Sequence, residues 1–435
     1  VTGVQTCALP ILLTSVMDDM RPENKYLHLM DEQEAITKAQ ALLNRQGEVA
    51  VSPLAVYRHA SKADSVQQGR PNVVLIMMES MSSKLMKHFG QSETLTPFLD
   101  SLYTRSISFR NFYSAGIHTN HGLYATLYSF PAMMKRNLMK GSVIPRYSGL
   151  PTVLKENGYY NLFFMTHEGQ YDNMNAFFRT NGYDEVFSQE NYPADKVVNS
   201  FGVQDDFLYD YAIPVLNQRA ATGEPFFATL LSISNHPPYV IPPFFHPKTS
   251  EPETQIVEYA DWALRKFFEE ARKQPWFDNT IFVLEGDHGK LVGDAECELP
   301  ESYNHIPLMI YSSRIHPEER NTFGGQVDIQ PTILGLLNID YLQNNFGVDL
   351  LKEERPCMFY TADNMIVGRN DTLLYLYNYE TQQEFTYHID NGKLKAVPMD
   401  DLFLPLKEYS FSMLQSAEFL VKHGKTVNSV PFTQQ

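Results

Sequence analysis

Five short segments, Val73–Met78, Asn161–Met165, Phe226–Ile233, Ile281–Leu284 and Pro307–Tyr311, are apolar at nearly every position instead of alternating with polar residues. A strand of that composition has to be covered on both faces, which is the situation of a parallel sheet inside an α/β protein. Amphipathic stretches fall between them, and the spacing predicts helices over Pro97–Arg105, Leu150–Asn157 and Ile256–Lys273. In the last of these, Ile256, Tyr259, Ala260, Ala263, Phe267 and Ala271 lie near one face. Thr96 before Pro97 reads as an N-cap with proline at the first helical position. The expected class is therefore α/β, with a mostly parallel central sheet flanked by helices.

The flanks have a different texture. Residues 14–71 are polar, with helical spacing over Glu32–Leu43 and a Gln67-Gln68-Gly69-Arg70-Pro71 exit, and are expected to form a helical arm and linker. The α/β catalytic domain is expected over 72–340. Beyond it, Thr372–Tyr379, Glu384–Ile389 and Lys393–Val397 read as strands. The turn signal Asp390-Asn391-Gly392 joins the last two, so 341–435 should hold a small antiparallel hairpin subdomain and a terminal helix. The opening Val1–Ile11 lacks a start Met and looks like a translated sequencing adapter. Residues 1–13 are expected to be foreign, and the natural chain to extend further at its N-terminus.

Composition closes off some functions. With 43% hydrophobic and 20% charged residues in 435, a full core is available and wholesale disorder is excluded. Lys and Arg number 35 against 51 Asp and Glu, a net charge of −16. That balance argues against a general nucleic-acid binder but leaves room for a local basic pocket around an anion. Cys7, Cys297 and Cys357 are too far apart for a Cys-x-x-Cys site, although one disulfide is possible. No run reaches the roughly 18 apolar residues of a membrane span.

In an open α/β sheet, ligands bind beyond the carboxyl ends of the strands. Four of the expected strands run into Glu79-Ser80, Thr166-His167-Glu168, Ser234-Asn235-His236-Pro237-Pro238 and Glu285-Gly286-Asp287-His288-Gly289. Carboxylates and imidazoles gathered at one edge are metal-ligand chemistry. Each also has an ordinary reading: Glu79 as a capping carboxylate, Asp287-His288-Gly289 as a turn, His236 as a loop cap. His305 precedes the Pro307–Tyr311 strand, at the wrong end of it for the site, and reads as structural unless the preceding loop folds back. Thr119 stands where an N-cap belongs, ahead of an apolar helix Leu123–Phe130. The same position offers free N–H groups to a phosphate or an ionised alkoxide. His118 and His121 flank it and could be ligands or surface residues.

Asn72–Ser80, Leu95–Asp100, Phe112–Gly116, Ser234–Tyr239, Gly286–Gly289 and Gly325–Thr332 together resemble the alkaline phosphatase/sulfatase superfamily, and within it the lipoteichoic acid synthase-like phosphotransferases. The resemblance implies one divalent metal, Mn²⁺ or Zn²⁺, held by Glu79, Thr119, Asp287 and His288. It makes Thr119 the nucleophile and His236 a substrate-phosphate contact or acid. His167, Asn173 and His305 are further candidates for substrate contact. Sulfatases of this superfamily make their nucleophile in a Cys/Ser-x-Pro-x-Arg context that is missing here, which favours phosphoryl over sulfuryl chemistry. The family's Trp-Asn-Arg element is also replaced, by Tyr171-Asp172-Asn173-Met174-Asn175 with no cation, which weighs against glycerol-phosphate polymerisation.

The implied reaction moves a phospho-head group from a phospholipid donor to a glycan or lipid acceptor, or to water. It would run on the extracytoplasmic face of a bacterial membrane, with the anchor in the missing N-terminal region and no nucleic acid involved. A phosphodiesterase or sulfatase-like hydrolase, a non-catalytic binder of anionic glycans or lipids, and an unrelated α/β protein whose acids merely cap strands are the competing readings.

Overall fold

The structure, a computed structural model, describes residues 26–43, 56–58, 70–141 and 143–427. The expected foreign segment 1–13 and the 67–69 part of the linker lie outside the described residues.

The central sheet has eight strands: β1 (Asn72–Met78), β2 (Ile107–Tyr113), β3 (Tyr160–Phe164), β4 (Glu185–Phe187), β5 (Phe226–Leu231), β6 (Thr280–Gly286), β7 (Leu308–Tyr311) and β8 (Glu318–Gly325). Their order across the sheet is β8-β2-β7-β6-β1-β5-β3-β4. Every neighbouring pair is parallel except those made by β7, which runs against both β2 and β6. All seven residues of β1 are buried, and they alternate between two cores: Val73, Leu75 and Met77 in one, Val74, Ile76 and Met78 in the other. That is the period-2 rule acting on a strand covered on both sides. The β2, β4 and β8 strands escape the apolar-run reading. Ile107–Tyr113 contains Ser108, Arg110 and Asn111, and Glu318–Gly325 begins with charged residues at the sheet edge.

Helices cover both faces. On the Val74 side lie α2 (Pro97–Tyr103), α6 (Asp205–Ala220) and α7 (Pro252–Ala271); on the Val73 side lie α3 (Thr119–Tyr128), α4 (Leu150–Glu156), α5 (Met174–Thr180) and α8 (Ile329–Leu336). The α7 stripe is the expected one widened by Val257, Leu264 and Phe268, with Ala260 at its margin. Thr96 does sit at the α2 N-cap position, but its hydroxyl donates to Asp100 Oδ2 at 3.0 Å. The free amides of Phe98 and Leu99 are taken instead by the Asp261 carboxylate of α7, each at 2.9 Å. A tertiary cap has replaced the local one.

The C-terminal element is a five-stranded antiparallel meander, larger than the hairpin expected: β9 (Met358–Thr361), β10 (Met365–Arg369), β11 (Leu373–Asn378), β12 (Gln383–Asp390) and β13 (Lys393–Val397). Asn391 and Gly392 both have positive φ in the β12–β13 turn, with Asp390 paired to Lys393, the geometry that Asn-Gly favours. The terminal helix α9 (Leu404–Lys422) packs on this sheet and on α1 (Glu32–Leu43) of the N-terminal arm. Glu418 ties the region together, accepting from Leu27 N at 3.1 Å and from the Arg136 guanidinium at 3.0 Å. Cys297 and Cys357 are unpaired. Among the described residues no helix is long and apolar enough to cross a membrane.

Candidate active site

Glu79 follows β1 and Asp287 follows β6, its immediate parallel neighbour, so two carboxylates leave the same sheet edge side by side. Both are essentially fully buried. Each is anchored by one oxygen only. Glu79 Oε1 accepts from Ser80 Oγ at 2.6 Å; Asp287 Oδ1 accepts from the backbone N–H groups of Ser80 at 2.8 Å and His288 at 2.7 Å. Their other oxygens, Glu79 Oε2 and Asp287 Oδ2, are buried with no hydrogen-bond partner.

His288 completes the group. Its Nδ1 lies 2.8 Å from the carbonyl of Gly289, which can only accept, so the proton is on Nδ1 and the lone pair on Nε2. That Nε2 stands 3.6 Å from Asp287 Oδ2 and 3.8 Å from Glu79 Oε1. One ligand atom from each of the three residues falls within 4.8 Å of the others. Burial first, and the Asp287 charge second, push the Glu79 carboxyl well above its usual range. Two orphaned buried carboxylate oxygens and a pre-set imidazole lone pair fit a divalent cation, which holds Glu79 ionised and partners both oxygens at once.

Thr119 is the first residue of α3 and half-buried, with His118 at the N-cap position, so the expected N-cap is shifted by one. The first turn of α3 lies against the Asp287 strand end. A Cβ on Gly122 would be 2.3 Å from the Asp287 carbonyl oxygen, which is why only glycine fits there. Gln326 locks the same junction: its Nε2 donates to the carbonyls of Gly286 at 3.1 Å and Asp287 at 2.8 Å, while its Oε1 accepts from Ala115 N at 2.9 Å.

The other sequence candidates divide. His236 is half-buried; its Nδ1 donates to the Pro237 carbonyl at 2.6 Å and its ring centroid is 4.1 Å from that of Phe201. His167 is buried beside Tyr171, and burial draws its imidazole down to about 4. Asn173 spends its amide on the Met139 carbonyl at 3.1 Å. Because β7 is antiparallel, its beginning, and with it His305, lies at the site edge after all. The His305 ring, however, stacks on Tyr113 at 5.1 Å and pairs through Nε2 with the Arg110 carbonyl at 2.8 Å, outside the Glu79 group. His118 is exposed and paired with Asp363 at 2.7 Å; His121 is buried, and burial draws it down to about 3. Glu285 stays within β6 and accepts from Thr126 Oγ1 of α3 at 2.5 Å.

Four residues that sequence reasoning did not single out shape the site: Ser80, Gln326, Asn235 and Lys290. Ser80 is held at φ +51°, which lets one residue serve both carboxylates. Asn235 Nδ2 donates to the carbonyls of Glu79 at 3.1 Å and Ser80 at 3.2 Å, and Lys290 Nζ donates to Asn235 Oδ1 at 2.6 Å. Burial lowers the Lys290 ammonium to about 8. All but Lys290 lie inside the short segments that carry the family resemblance, the one local signal available.

The sulfatase family matches residues 71–339. Lipoteichoic acid synthase 1 of Bacillus subtilis is 25% identical over 354 residues, covering 75% of this chain and 54% of that protein. Lipoteichoic acid synthase of Staphylococcus aureus is 24% identical over 327 residues, covering 65% and 48%. The chain thus spans about half the length of the curated relatives it matches. Among solved structures, an alkaline phosphatase superfamily protein from Vibrio parahaemolyticus superposes with a TM-score of 0.81 at 24% identity, covering 94% of this chain and all of that one. The lipoteichoic acid synthase LtaP from Listeria monocytogenes superposes at 0.69 with 21% identity, covering 81% and 92%. With the family match spanning more than half of its 435 residues, the chain belongs to the sulfatase family of enzymes.

Proposed function

We propose that this protein is a divalent-metal-dependent phosphotransferase. It would move a phospho-head group, of glycerol phosphate or phosphoethanolamine type, from a phospholipid to a glycan or lipid acceptor. The observation that carries the reading is the pair of buried, unpartnered oxygens Glu79 Oε2 and Asp287 Oδ2 beside the His288 Nε2 lone pair. Glu79, Asp287, His288 and Thr119 are the residues to hold the ion, and Mn²⁺ or Zn²⁺ suits one imidazole with oxygen donors. When bound, the ion supplies positive charge that lowers the pKa of a hydroxyl and stabilises phosphoryl oxygens.

Thr119 Oγ1 would lose its proton to solvent and attack phosphorus: the Thr119 O–P bond forms, and the bond from phosphorus to the lipid alcohol breaks. The first amides of α3 face the developing negative charge. His236 has its Nδ1–H committed to Pro237, so only as the imidazolium would its Nε2–H hydrogen-bond a phosphoryl oxygen or protonate the leaving alkoxide. In the second half the acceptor hydroxyl attacks, the Thr119 O–P bond breaks and the threonine is regenerated. The active face would lie outside the cytoplasm, with the anchor in a region preceding this sequence. The lipoteichoic acid synthase names of the relatives support such a substrate class.

The test is mass spectrometry of the metal-loaded protein after incubation with a phospholipid donor, with and without an added alcohol. The expected result is a phospho-head-group adduct on the peptide carrying Thr119 and its transfer to the alcohol. Release only to water would make the protein a hydrolase, and turnover undiminished in T119A would remove the nucleophile.

A further inference from the structure

A site built for phosphoryl transfer has to hold an anion whose oxygens outnumber the places one cation can serve. The groups at the sheet edge are mostly of the wrong sign: Glu79 and Asp287 are carboxylates, and Asp205 is buried just behind them. Around the Tyr171–Asn175 segment the cations are Lys140, already paired with Asp172 at 2.8 Å, and Arg179, which is spent on Asn175 Oδ1 at 2.9 Å and the Asp184 carbonyl at 3.4 Å. Lys290 is differently placed. It follows His288 by two residues and is only partly exposed, and among the described residues no carboxylate lies within ion-pair distance of its ammonium. Its one fixed contact is Asn235 Oδ1 at 2.6 Å, and the same amide grips the Glu79 and Ser80 carbonyls. Tyr239 lies beneath it, with the ammonium 5.2 Å from the ring centroid. Asn235 is also the neighbour of His236. The ammonium is thus held between the Glu79 strand end and the His236 loop, with one of its three N–H donors spent.

We propose that Lys290 is a substrate-binding residue whose remaining N–H donors take an anionic phosphoryl oxygen of the donor lipid. Asn235 would set its position relative to Glu79. The inference rests on the phosphotransferase reading given above. A lysine that merely braced the Asn235 loop would act on metal affinity and stability, not on the anion.

The experiment is calorimetric titration of inorganic phosphate into the Mn²⁺-loaded full chain, for the wild type and for K290M and K290R, with Mn²⁺ affinity and melting temperature measured alongside. Loss of a charged hydrogen bond should weaken phosphate binding about ten-fold or more in K290M, while K290R stays within about three-fold of wild type. Mn²⁺ affinity should change by less than about two-fold in both, since no metal ligand is touched. K290Q gives a second neutral side chain should K290M fail to fold. Phosphate affinity unchanged in the folded neutral variants, a parallel loss of Mn²⁺ affinity, or a wild type that takes up no phosphate would each overturn the assignment. Adduct formation at Thr119 is read separately. If phosphate binding depends on Lys290 but no adduct forms, the transfer reading fails while the anion site stands. If the adduct forms and K290M binds phosphate normally, the reverse holds.

Discussion

Ser80 bridges the two buried carboxylates Glu79 and Asp287, donating its hydroxyl to the first and its amide to the second. It leaves each with one bare oxygen, so the acids are oriented but not neutralised. In the absence of a cation, burying Glu79 beside Asp287 is a net cost to folding, whether the carboxyl keeps its charge or takes up a proton to lose it.

That cost makes a paired prediction. E79Q should melt above the wild type when both are stripped of metal, because the buried ionisable group beside Asp287 is gone. The wild type should then gain on the order of 3 kcal/mol from Mn²⁺ at about a hundred times its dissociation constant, and E79Q and D287N little or nothing. Thermal melts with and without chelator check it; equal metal stabilisation in all three would contradict the site.

T119A should reduce product formation by about 10³-fold or more, as removal of a nucleophile does. Thr119 is half-buried at the helix start, so the melting temperature should move little. Initial rates and a melt on the same preparation separate a chemical from a structural loss.

Gln326 should behave as a positioning residue. Q326A leaves the buried carbonyls of Gly286 and Asp287 and the amide of Ala115 without partners, at a cost on the order of 3 kcal/mol. Q326E turns two donors into acceptors facing carbonyls and should be worse. Denaturant unfolding gives the stability, and Mn²⁺ titration of the folded fraction shows whether the Asp287 end has shifted.

Asp328 and Arg355 form a buried pair, with the guanidinium Nε 3.0 and 3.1 Å from the two carboxylate oxygens and the Gly325 and Val348 amides donating to the same group. D328A should destabilise the fold by about 3–5 kcal/mol, because it strands a buried guanidinium. Urea unfolding of D328A beside D328A/R355M checks this: the double variant should recover part of the loss.

His167 supplies the pH test. Its imidazole is drawn from an ordinary 6.5 to about 4 by burial, so the unfolded chain binds the extra proton first as pH falls. Its contribution is fully present above about pH 6.5 and is lost as pH drops toward 4, up to on the order of 3 kcal/mol. Stability measured across that window should fall less steeply in H167Q than in the wild type.

Much of this was legible locally. Consecutive apolar residues in Val73–Met78 specify a strand buried on both faces, Asn391-Gly392 specifies its turn, and an acid directly after a strand end specifies which edge carries chemistry. Polar-patterned strands such as Ile107–Tyr113 were hidden because burial there comes from neighbours far along the chain. The N-cap of α2 went to Asp261 for the same reason.

What the sequence determined by itself was the apolar strands, the amphipathic helices between them, and the acids and imidazoles that follow those strands. Only the tertiary structure decided that Glu79 and Asp287 leave adjacent strands, that β7 runs backwards and carries His305 to the site edge without joining the group, and that Lys290 meets Asn235. Side-chain periodicity is written in neighbouring residues. Strand order is settled by packing the whole chain, and so are contacts between residues that lie far apart along it.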